Sequence, residues 1–154
     1  MYGYRPPSTV HRPPSTVQKA TLMDLIKTIH GVFGEMVLPL LIVVAAIYLT
    51  VTYKAGAPRG AVARIFPVLV DIQVTLGIIL WIYLLFSTSG PTQAAYLGFP
   101  FILHPLIGIL AAGLAHMAVG VKNPLRSLGR YAPLASLAVL LVLVISNVLI
   151  GVQQ

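Results

Sequence analysis

The sequence predicts an all-α integral membrane protein whose four spans pack as an antiparallel four-helix bundle. Three observations carry this. Of the 154 residues, 58% are hydrophobic and only 8% are charged, whereas a soluble domain carries about 25% charged residues. The mean hydropathy is strongly positive, +0.93. The apolar residues fall into four runs, at about 29–53, 65–87, 97–121 and 131–152. Each run exceeds the ~20 residues with which a helix crosses about 30 Å of hydrocarbon.

Residues 1–20 form a Pro-rich tail built on a tandem heptapeptide, Tyr4-Arg-Pro-Pro-Ser-Thr-Val10 followed by His11-Arg-Pro-Pro-Ser-Thr-Val17. Paired prolines favour polyproline II over helix. Such a segment is either a mobile tail or a strap that orders on a neighbouring subunit. The first apolar run starts near Val32, behind this tail, and is too long for a signal-peptide core, so no cleaved signal peptide is expected.

Residues 21–154 form the transmembrane domain. Thr21 or Asp24 caps the first helix, which enters the membrane through Leu25-Ile26-Lys27. Pro39 is expected to bend it. The runs are separated by Lys54-Ala-Gly-Ala-Pro-Arg59, by Ser87-Thr-Ser-Gly-Pro91, and by Lys122-Asn-Pro-Leu-Arg126 with Gly129-Arg130. Only helices and closed barrels satisfy the backbone in lipid, and these runs lack the alternation of a barrel. Short loops between four helices predict antiparallel neighbours.

The net charge of +7 comes from ten Lys and Arg. They flank the spans, which points to anionic lipid headgroups as the partner and away from nucleic acid. Six of them (Lys54, Arg59, Arg64, Lys122, Arg126, Arg130) lie around the first and third loops, against four (Arg5, Arg12, Lys19, Lys27) towards the N-terminus. The positive-inside rule then sets both termini outside, in a cytoplasmic membrane of the prokaryotic type. The chain has no cysteine, which excludes disulfides, thiol catalysis, iron–sulfur clusters and thiolate zinc sites.

Each span holds a polar residue four positions before a glycine: His30 and Gly34, Gln73 and Gly77, His104 and Gly108, Asn147 and Gly151. His30 to Gln73 and His104 to Asn147 are both separations of 43 residues. Helices one and two therefore read as a copy of helices three and four, a parallel repeat about an axis along the membrane normal. The fit is imperfect, because Asn147 lies near the end of its span and Gln73 nearer the middle.

His30 opens helix one and His104 lies about two turns into helix three, so an antiparallel bundle starts both on one side. Two imidazoles facing each other across the axis are what the axial ligands of a b-type haem require. Gly34 and Gly108, one turn beyond each histidine, would clear a face for the flat macrocycle. The same small residues also serve plain helix packing, and histidines near span ends serve as structural groups. A metal ion alone is a weaker reading, since only two histidines converge. His116, at the depth of the opposite leaflet, and Asp71 on helix two are expected to hydrogen-bond. Intramembrane ionisable residues are functional candidates, but such a pair could equally fix helix register. Glu35, one turn below His30, could pair with Lys27, hold a partner of a haem propionate, or relay protons to a quinone.

With these residues in view, about 25–152 resembles one four-helix half of the haem A synthase family. Similar small four-helix cytochrome b modules share the pattern. The resemblance rests on His30 and His104 and on Gln73-Val-Thr-Leu-Gly77 and Asn147-Val-Leu-Ile-Gly151. It implies that His30 and His104 are haem ligands. The chain departs from the family where an acidic residue is expected one turn before the first histidine: Ile26 and Lys27 stand there. The cysteine pair of some members is also missing, which speaks against the oxidation chemistry of a synthase.

The sequence thus leads to a haem b-binding membrane subunit that carries electrons in a quinone-linked respiratory or photosynthetic complex. Two alternatives stand beside it: a cofactor-free accessory subunit of a large membrane complex, and a compact synthase-like enzyme. The short loops offer no soluble substrate site, which favours an electron-transfer or non-catalytic role with protein partners.

Overall fold

The computed structural model describes residues 16–54, 60–99, 101–120 and 123–152. Most of the tandem heptapeptide, the loop residues 55–59 with Arg59, and Lys122 lie outside the described residues. All the regular elements described are helical. In chain order they are α1 (Thr16–Val32), a π-helical turn (Phe33–Val37), α2 (Leu38–Val51), α3 (Ala61–Ser87), α4 (Gly90–Leu97), α5 (Leu103–Ala118), a 3-10 turn (Arg126–Tyr131) and α6 (Ala132–Val152).

α1, the π turn and α2 follow one another without a break, so the first helix begins at Thr16, ahead of the expected caps Thr21 and Asp24. His30 consequently stands inside a helix, not at its opening. Pro39, expected from sequence to bend this helix, follows a widened π-helical turn. Its nitrogen cannot donate to the carbonyl of Glu35 and its ring crowds that oxygen. The turn before it widens, and the N–H of Leu38 donates to the carbonyl oxygen of Phe33, five residues back.

Among the described residues, three helical segments are long and apolar enough to cross a membrane: Leu22–Val51, Ala61–Ser87 and Arg126–Gly151. The third expected span differs. A break at Gly98, where the backbone is extended, separates α4 from α5. Pro100 follows and disfavours helix in the residue before it. What remains is the 16-residue apolar helix α5, about 24 Å long at the usual rise. Pro105 is tolerated in its first turn because N–H groups there have no helical partner.

α6 packs against α2 and α5, α5 against α3, and α3 against α1 and α2. The shared core joins Leu38, Ile42, Phe66, Val70, Leu137 and Leu140 to the small residues Ala111, Ala115 and Ala118 on α5. Alanines along one face let α5 approach its neighbours closely, as small residues do between membrane helices. The outer surface is apolar as well: Leu40, Leu110, Val142 and Leu149 are all 60% or more exposed. A surface of that kind is suited to contact with lipid.

Asn123 closes the far end of α5. Its side-chain amide donates to the carbonyl of Ala118 at 2.8 Å, and its side-chain oxygen accepts from the Leu125 N–H at 2.8 Å and from the Ser136 hydroxyl at 3.0 Å. Asn123 and Ser136 are both buried, so this cluster caps α5 and fixes its end onto α6.

Candidate functional site

The four polar-x-x-x-Gly motifs meet in space. In a helix the carbonyl of residue i points towards residue i+4, and a side chain there shields it from a neighbouring helix. Glycine at i+4 removes the shield. The amide of Gln73 uses the opening at Gly34 and donates to the carbonyl oxygen of His30 at 2.8 Å. A methyl group on Gly34 would stand 2.6 Å from that amide nitrogen. In the other half, Nδ1 of His104 lies 3.0 Å from the carbonyl oxygen of Asn147, and a methyl on Gly151 would come within 2.9 Å of the His104 ring. Each bond links residues 43 positions apart.

The glycines that seat the imidazoles are therefore on the neighbouring helices. Gly77 receives His30, with room for no methyl group (2.6 Å to Cε1), and Gly151 receives His104. Gly34 and Gly108, expected from sequence to clear a face for a macrocycle, both line the cavity described below and have further neighbours. Gly34 admits the Gln73 amide, and Gly108 lies in ordinary contact with Val74 and Asn147.

The two histidines come together. Their ring centroids are 6.1 Å apart and their planes cross at 81°. Because a carbonyl oxygen can only accept, Nδ1 of neutral His104 carries the proton and Nε2 keeps its lone pair. His30 Nδ1 is buried with no hydrogen-bond partner, as are the side-chain oxygens of Gln73 and Asn147. Buried polar atoms left open in this way call for a ligand, an ion or water.

A cavity of about 570 Å³ lies at this level, and all eight motif residues line it. Lys27 and Glu35 also reach its wall. Trp81 donates from Nε1 to the carbonyl of Tyr96 at 3.0 Å, holding α4 against α3 so that both aromatic residues bound the cavity. Among the described residues no three His, Asp or Glu side chains converge on a metal-ion site.

Asp71 and His116 stand apart from the cavity wall. Oδ2 of Asp71 and Nε2 of His116 are 2.8 Å apart, joining α3 to α5, with both side chains about half exposed. The pairing expected from sequence is present, on an outer face.

Sequence reasoning named the histidines and noticed the motif spacing, but did not assign Gln73, Gly77, Asn147 or Gly151 to the site. The equal separations of 43 were the signal that could have done so. Comparison with family models, with curated proteins and with solved structures finds no match for this chain.

Proposed function

We propose that this chain is a four-pass integral membrane protein that binds haem b between His30 and His104. Counting α5 as a fourth and shorter span gives an antiparallel four-helix bundle. In this reading α1–α2 with α3, and α5 with α6, are two copies of one helical pair related by a parallel repeat.

The observation that carries the proposal is the spacing of the two rings. A metal–imidazole bond is about 2.0–2.1 Å long and a ring nitrogen lies about 1.1 Å from its centroid, so two imidazoles on opposite sides of one ion have centroids about 6.2–6.4 Å apart. The 6.1 Å separation here fits that. Two further features support it. His104 has its second nitrogen tied to a backbone carbonyl, as metal-bound histidines commonly do, and His30 keeps an unpartnered buried nitrogen. The cavity volume also falls within the range of cofactor sites, about 300–1,000 Å³.

A haem held in this way supplies reversible one-electron transfer. The chain's own part is to bind and to insulate. His30 and His104 would ligate, Asn147 orients His104 through its carbonyl, and the largely apolar wall would surround the group. Were His30 and His104 both to hold the haem iron, neither the protein nor the iron would offer a place for a substrate to bind there. This favours an electron carrier in a quinone-linked complex over a synthase-like enzyme.

A second reading is favoured by one observation. The Gln73–His30 and His104–Asn147 hydrogen bonds clasp helices without any cofactor, which suits a cofactor-free accessory subunit. Purification from cells supplied with haem precursors, followed by a pyridine haemochrome assay, separates the two. Haem b in amounts close to the protein supports the first reading, and colourless folded protein supports the second.

A further inference from the structure

We infer that Gly77 and Gly151 are positioning residues that hold the two imidazole planes nearly perpendicular, so that haem bound between them has crossed axial ligands. This rests on the haem reading above and adds the electronic state of the iron and the residues that set it.

The geometry is built by the helices. The rings of His30 and His104 cross at 81°, and each lies against a glycine of a neighbouring helix. The Cε1 edge of His30 is lodged against Gly77, where even a methyl group would stand at 2.6 Å. His104 is lodged against Gly151 in the same manner, at 2.9 Å from Cε1 and 3.0 Å from Nδ1, and its Nδ1 is tied to the carbonyl of Asn147. Rotating His104 about its long axis would break that hydrogen bond and drive the ring out of the glycine notch. Metal-bound histidines are oriented by such outer contacts, which tune the metal as well as hold the ligand.

Ligand-plane angle acts directly on a low-spin ferric haem. An imidazole π orbital raises one of the two iron d orbitals that lie perpendicular to the haem plane. Parallel ligands raise the same orbital and split the pair, which gives a rhombic electron paramagnetic resonance spectrum. Crossed ligands raise one each and leave the pair almost degenerate. The spectrum then becomes strongly anisotropic, with a single large g value dominating. Removing either notch should let its ring turn and restore the splitting.

The test is low-temperature electron paramagnetic resonance of the oxidised haem-loaded protein, beside Gly77→Ala and Gly151→Ala. The wild type is expected to give the strongly anisotropic signal, and each variant a shift towards the rhombic type. A variant that stays folded by circular dichroism but no longer takes up haem also supports the notch, since the added methyl displaces the ligand ring. A rhombic wild-type spectrum overturns the inference, as do variants whose signal is unchanged. Either outcome leaves haem binding itself intact, whereas a colourless wild type fails the haem reading.

Discussion

Nδ1 of His104 lies 3.0 Å from the carbonyl oxygen of Asn147, and this contact exists because residue 151 is glycine. The carbonyl of Asn147 already serves the α6 backbone, and any side chain at 151 would cover it. One missing methyl group thereby sets the tautomer of His104 and the direction of its remaining lone pair. Gln73, Gly34 and the His30 carbonyl repeat the same device between α1 and α3, with donor and acceptor exchanged.

The device predicts unequal effects at two glycines that look alike in sequence. Gly34→Ala would force a methyl to within 2.6 Å of the Gln73 amide and should destabilise the protein by about 1–3 kcal/mol. Gly108→Ala meets nothing closer than 3.7 Å and gains helix propensity, so in the haem-free protein it should be neutral or stabilising by up to about 1 kcal/mol. Thermal melts of the two variants in detergent check this. Equal losses would contradict it.

Gln73→Leu removes the donor to the His30 carbonyl at a buried position. Interhelical hydrogen bonds in membranes are worth about 0.6–2 kcal/mol, and a loss of that size is expected. Gln73→Met keeps the length of the side chain but carries no donor, so it should lose stability as Gln73→Leu does. Unfolding in a mixed-detergent titration compares the three forms.

Asn123 holds three hydrogen bonds at the junction of α5, the following loop and α6. Asn123→Ala leaves the Ser136 hydroxyl and two backbone groups without their partner, at a cost of about 1–3 kcal/mol or more. The loss should be largest in hydrogen exchange at the end of α5, measured by mass spectrometry.

Asp71 and His116 join α3 to α5 on an outer face, with side chains 44% and 56% exposed. His116→Ala and Asp71→Asn should therefore lower stability modestly, by about 0.6–2 kcal/mol, and leave any haem spectrum unchanged. A spectral change in His116→Ala would show that this pair communicates with the cavity.

Much of the fold was legible because lipid imposes a simple rule on sequence: long uninterrupted apolar runs. Three of the four expected spans correspond to helices long enough to cross. The third is represented by the shorter helix α5, because hydropathy does not register the extended backbone at Gly98, which sits among apolar neighbours. The start of the first helix was misjudged because Val17 to Leu25 is helical without being continuously apolar. At the site, the histidines stood out because ionisable groups are rare in apolar runs. The roles of Gly77 and Gly151 did not, since which carbonyl a glycine uncovers depends on which helix lies opposite.

The most direct test of the central claim is a reduced-minus-oxidised visible spectrum of the purified protein beside His30→Ala and His104→Ala. Ligation by both rings predicts a low-spin α-band at the b-type position in the wild type and its loss in each variant, with His116→Ala retaining it. A wild type without the band, after expression with ample haem, would contradict the account. So would a band that survives both substitutions.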